Sequence, residues 1–345
     1  MRRARLLLCS GLLLVLHAAI AHAADLDQQL AERIRHVQAD YDAGRQLAIR
    51  RVNQSLHIDY AALADRFEAQ DRLYRDQQIL REQTDRLADS SPPSPPPGDM
   101  VNSPDYRRYA EARILLDQTL ERDHLLRARC LQAYEDILDV LIDRDPLFSH
   151  FFRSSEYQRR HGLLFTRAVW DLFAGESAST LPLSTHTVFA DRSQMPFVIN
   201  VSPAAFSSLA FLRSILIHEI NHVLLYKAPI FADVERPSAF PDSRPTQPLP
   251  GWYSLWFNLK YGRTPTFQYH LLHEYYSFRA QQLYDDAAPR TPYRRLSPSD
   301  RAYIDQLATW AAGELSAQSR ALVQHHPDPP MAAYLRQYMP AASSE

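Results

Sequence analysis

His218-Glu219-Ile220-Asn221-His222 lies inside the apolar run from Leu212 to Leu225, and its spacing is what can do chemistry in this chain. On a helix turning about 100° per residue, His222 comes round to within roughly 40° of His218, so both imidazoles leave one face toward a single ion. Glu219 falls roughly 60° beyond His222, at the rim of that face, where its carboxylate could take a proton from a metal-bound water. Two ligands and a general base are the elements of metal-assisted hydrolysis. With 14 histidines in the chain, a chance match on an amphipathic helix is the competing account. Burying His, Glu and His among Ile, Leu and Val is costly unless those polar atoms have a partner, however, and a metal satisfies all three.

A catalytic zinc normally takes three protein ligands and keeps one position open. The segment Tyr269–Gln282 reads as a second helix rich in donors, and Glu274 is the candidate third ligand. Ser277, three residues on, is small enough for this helix to pack closely against the first. His273 and His270 are the competing ligands in the same segment. Tyr275, Tyr276 and Tyr253 could hydrogen-bond a developing oxyanion, although packing explains an aromatic beside a cleft equally well.

With these residues the sequence resembles the gluzincin class of zincin metallopeptidases: a strand, then a helix with His-Glu-x-x-His, then a later helix with a Glu ligand. The resemblance covers roughly residues 185–282. It implies zinc on His218, His222 and Glu274, with Glu219 as general base in hydrolysis of a peptide bond. Phe278 stands where the Glu-x-x-x-Asp form of some of these families has its Asp, and the Gly of the metzincin extended motif is absent. Two other functions compete: an exported helical binding or scaffold protein with a structural or vestigial zinc site, and a zinc amidase acting on cell-wall amides.

The expected fold class is α+β, mainly α, a zincin-like core with a small sheet preceded by a helical N-terminal region. Short β-type runs at Thr187–Ala190 and Phe197–Val201 precede the motif, and the sheet they form could hold an extended peptide along its edge. Ser202-Pro203 marks a helix start, with the helix running from Pro203 to Tyr226. The proline-rich stretch 228–250 is expected to border the cleft. Upstream, 25–89 reads as a helical hairpin bent near Gly44 or around Asn53–Asp59. Ser90–Gly98 is a stiff proline-rich break. A helix from Pro104 to Asp143 ends at Asp145-Pro146, another covers 154–173, and one or two helices close the chain over 297–339. These boundaries give a leader over 1–23, a helical region over 24–90, a linker over 91–103 and a metallopeptidase domain over 104–345.

The leader is expected because Met1-Arg2-Arg3-Ala4-Arg5 precedes an apolar run from Leu6 to Leu16 and then Ala21-His22-Ala23, the form of a cleaved secretory signal peptide. Its apolar run is short for a membrane span, so no stable membrane insertion is expected. Once it is removed, Cys130 is the one remaining cysteine, which excludes an internal disulfide and reads as buried in a helix. Lys227 and Lys260 are the only lysines in the chain, the codon bias of a GC-rich bacterium, so the expected location is the periplasm or the exterior. A formal net charge of −2 without a basic run argues against nucleic acid. The expected partner is a peptide or protein substrate.

Overall fold

The computed structural model describes residues 2–84, 100, 102–170, 172, 176–183, 194–227, 257, 261, 267–288 and 291–325, with side chains from residue 24 onward apart from 73 and 76–84. The expected strand Thr187–Ala190, the proline-rich break 90–98, the stretch 228–250, Tyr253 and the tail beyond 325 lie outside the described residues.

Helix α1 (Arg2–Leu56) and α2 (Tyr60–Thr84) form the expected helical hairpin. The bend is at Asn53–Asp59: His57 takes a positive φ of 52°, and Asn53 Oδ1 accepts from the Tyr60 amide at 2.9 Å. Gly44 does not bend the chain. It lets α1 lie directly on Leu126, which a Cβ at this position would strike. The single helix expected over 104–143 is two, α3 (Pro104–Arg122) and α4 (His124–Arg144). Asp123 interrupts it, its carboxylate accepting from the Leu126 amide at 3.0 Å, an alternative the short Asp side chain offers to continued helix. Asp145-Pro146 ends α4 as expected, with Asp145 capping α5 (Pro146–Arg153) through the Leu147 amide. Cys130 is buried within α4.

The helix expected over 154–173 is overturned. Helix α6 (Ser155–His161) stops at Gly162, and β1 (Leu164–Ala168) follows. Gly162 has φ 71°, and a Cβ there would meet the Gln194 carbonyl oxygen at 2.5 Å, so the turn into the strand needs glycine. Strands β2 (Ala178–Pro182) and β3 (Phe197–Val201) complete a three-stranded sheet of order β1-β3-β2, with β1 parallel and β2 antiparallel to the central β3. All five residues of β3 are buried. The result is the mainly helical α+β class that the sequence implied, with one small mixed sheet.

After β3, a 3-10 turn (Pro203–Ser207) precedes α7 (Leu209–Lys227), so the motif helix starts later than Pro203. Ser208 caps it, accepting from the Phe211 amide at 3.0 Å. Then come α8 (Phe267–Ala287), α9 (Pro298–Glu314) and α10 (Ala317–His325). Three apolar clusters hold the described residues together. The first joins Leu30, Ile34 and Val37 of α1 to Leu138 and Leu141 of α4, Phe197, Ile199 and Val201 of β3, and Leu212, Leu216, Ile217 and Ile220 of α7. The second packs Leu225 of α7 and Leu271, Leu272 and Tyr276 of α8 on Trp310 and Ala311 of α9. The third lies among Val52, Tyr60, Phe67, Tyr106 and Tyr109, where α1, α2 and α3 meet. Contacts therefore run from the N-terminal helices into the motif helix and across the proline-rich break.

Candidate metal centre

Helix α7 is buried almost all round, because the sheet and α1 cover one side and α8 the other. Its histidines must meet their partners inside the protein. Helix α8 supplies them, approaching closely where Asn221 Nδ2 donates to Ser277 Oγ at 3.2 Å. The small Ser277 thus does what was expected of it, and both residues are fully buried.

Donor atoms of His218, Glu219 and His222 lie within 4.8 Å of one another. The Glu274 carboxylate reaches in from α8, with Oε2 3.2 Å from His218 Nε2 and Oε1 3.8 Å from His222 Nε2. Two carboxylates therefore flank the imidazoles. Glu274 is the better ligand, because its two oxygens address both Nε2 atoms. Glu219 Oε2 is instead engaged by the Thr180 hydroxyl at 2.7 Å, and that hydroxyl also lies 3.2 Å from the Glu219 backbone carbonyl. His218 is fixed from behind: Gln281 Oε1 lies 2.8 Å from its Nδ1, and Gln281 Nε2 donates to Ser214 Oγ at 2.9 Å. That contact makes Nδ1 the donor to Gln281, so Nε2 is the nitrogen left for an ion.

Both competing histidines line the adjoining cavity but have other partners. His273 faces the Nδ1 side of His222, at 3.5 Å, away from the Nε2 atoms that Glu274 addresses. His270 stacks on Tyr261 with ring centroids 3.9 Å apart. Neither Tyr275 nor Tyr276 reaches the site: Tyr276 belongs to the second apolar cluster and Tyr275 packs against it. One and two residues past Glu274 turn about 100° and 200° away from the α7-facing side.

Beside the donors is a cavity of about 610 Å³. Residues 176–182 form one wall, and Phe211, Ile215, Phe278, Tyr303, Ile304 and Leu307 contribute an apolar part of the rest. Its described lining carries three carboxylates, Glu176, Glu219 and Glu274, with no Lys or Arg. Burial pushes the Glu219 carboxyl up to about 7; His218 and Thr180 oppose the shift, and Glu274 and Glu176 add to it. Burial also works against charge on His218, but Glu274, with Glu219 and Gln281, outweighs this and raises its pKa. Such a site is short of positive charge.

No family model, curated protein or solved structure matches this chain. The chemistry of the side chains has to carry the assignment. Two of them had escaped notice in the sequence. Gln281 had a signal, since it follows Glu274 by seven residues and so shares its helix face. Thr180 had none, because it sits on a short strand that the sequence does not announce.

Proposed function

We propose that this chain is a zinc-dependent metallopeptidase with a zincin-like core, exported by its N-terminal leader. The observation that carries the proposal is the reach of Glu274 from a second helix to the Nε2 atoms of both motif histidines. Two imidazole nitrogens and a carboxylate suit zinc, and a cavity whose described lining has three carboxylates and no Lys or Arg favours a divalent cation. His218, His222 and Glu274 would hold it. When bound, zinc supplies Lewis acidity, which brings the pKa of water toward neutrality and polarises the substrate carbonyl.

The remaining work belongs to the protein. Glu219 accepts the proton of the attacking water as its oxygen bonds to the carbonyl carbon, then delivers that proton to the amide nitrogen as the C–N bond breaks. A pKa raised toward neutrality by burial suits a group that must both take and give a proton. Thr180 holds the carboxylate in one orientation. Substrate placement is favoured by β2. The Ser202 amide donates to Ser177 O, and the Leu183 amide to Pro196 O. Odd-numbered residues of the strand thus direct their backbone groups toward β3, and Ala178 and Thr180 direct theirs to the edge that no strand pairs among the described residues. An extended peptide can pair with that edge along the cavity wall.

Glu219→Gln is the test. It should keep about one zinc per chain and the fold, while hydrolysis of a peptide library falls by about 10² to 10⁴ or more. Equal activity in wild type and variant would refute the peptidase mechanism, and joint loss of zinc and activity would give Glu219 another role.

A further inference from the structure

We infer that His273 is the positioning residue for the His222 ligand, a neutral imidazole whose Nδ1 accepts the proton of His222 Nδ1; this rests on the zinc reading above. The Glu274 carboxylate lies on the Nε2 side of His222, at 3.8 Å, which makes Nε2 the coordinating atom and leaves the proton on Nδ1. A ligating imidazole needs an acceptor for that second N–H, and the acceptor sets both tautomer and ring orientation. His273 Nδ1 is 3.5 Å away, at the outer limit of a hydrogen bond, with the two ring planes 11° apart and centroids at 5.7 Å. A few tenths of an ångström closes it. Two N–H groups cannot face each other, so once His222 ligates, His273 must carry its own proton on Nε2.

His273 is held for this task. It is buried, its ring lies 4.4 Å from that of Tyr269, and it immediately precedes Glu274. One turn of α8 thereby delivers both the third ligand and the support of the second. Gln281 does the same for His218, so both histidines lean on neutral acceptors.

The experiment compares wild type, His273→Phe and His273→Asn, using competition with a chromophoric chelator for zinc affinity and ¹⁵N spectra of the histidine rings in the zinc-loaded protein. Phe fills the space without an acceptor, and the Asn amide oxygen falls close to the position of Nδ1. His273→Phe should bind zinc about 10- to 100-fold more weakly yet still reach one ion per chain at saturation. His273→Asn should recover most of the loss, and wild type should show His222 protonated on Nδ1 and His273 on Nε2. Unchanged affinity in His273→Phe, or a His273 ring protonated on Nδ1, would overturn the inference. So would complete loss of stoichiometric zinc in a folded His273→Phe, since that would make His273 a ligand. A wild type that takes up no zinc would instead bring down the parent proposal, an outcome the variants do not share.

Discussion

Glu274 and Thr180 touch different parts of the same chemistry, and substitution should separate them. Glu274→Ala removes the one carboxylate that addresses both imidazole Nε2 atoms and should abolish stoichiometric zinc, whereas His270→Ala should retain it. Elemental analysis after reconstitution distinguishes the two, and loss of zinc in the His270 variant would move the ligand assignment. Thr180→Val keeps the shape of the side chain and removes its hydroxyl from Glu219 Oε2. One hydrogen bond to a charged group contributes about 1.5 to 3 kcal/mol. Turnover should therefore fall by about tenfold or more at unchanged zinc content, and a turnover equal to wild type would remove Thr180 from the mechanism. The motif histidines were legible in the sequence because buried polar groups in an apolar helix demand a partner. Thr180 was not, since nothing local distinguishes it from any other threonine.

At the scale of elements, helices with strong punctuation and the strand Phe197–Val201 were readable, and β1 and β2 were not. Asp145-Pro146 ended one helix and began the next where proline and capping chemistry place it, whereas Ser202-Pro203 began a 3-10 turn and not the motif helix. Strand β2 reads Ala-Ser-Thr-Leu-Pro, with one β-branched residue, and exists because β3 offers it a ladder. Strand β1 was hidden behind Gly162, whose positive φ was the clue to the end of α6. The sequence also concealed a buried charge cluster that fixes α1 to the motif helix. Arg213 of α7 donates to Asp27 of α1 and lies 3.3 Å from Asp145, while Arg294 donates to Asp27 at 2.8 Å. Arg213→Met leaves the buried carboxylates of Asp27 and Asp145 to Arg294 alone and should cost toward the lower end of about 3 to 5 kcal/mol in a denaturant melt; a cost below about 1 kcal/mol would show that the cluster contributes little. At the other end of α7, burial lowers the Lys227 pKa to about 8. Between that value and the ordinary 10.5 the unfolded chain binds the extra proton, so this group's contribution to stability rises with pH across that window and is least favourable below it. Any gain in Lys227→Met over wild type should therefore be greater near about pH 7 than near about pH 9.5. The bond from Lys227 to the His161 carbonyl is lost in both measurements, so the difference between them isolates the proton.

Across the whole molecule, α7 is the shared wall of two cores. Leu212, Leu216, Ile217 and Ile220 belong to the first, with α1, α4 and the sheet, and Leu225 joins the second, with α8 and α9. The candidate ligands straddle the α7–α8 seam, two on one helix and one on the other. Without an ion, that seam holds the buried carboxylates of Glu219 and Glu274 beside two imidazoles, an arrangement whose desolvation is poorly compensated. A bound cation offsets that cost and ties the second core to the first, so metal binding and global stability should be linked. Free zinc at about 1,000 times its dissociation constant adds about 4 kcal/mol to the folded state, which for a chain of this size raises Tm by about 5 °C or more. The rise should be reversed by a chelator and absent in Glu274→Ala, while Glu219→Gln, which keeps the ligands, should retain it. Hydrogen exchange should place the added protection in α7 and α8 first, because those helices carry the donors. A zinc-dependent rise of equal size in Glu274→Ala would mean that the stabilising ion binds somewhere other than between these two helices.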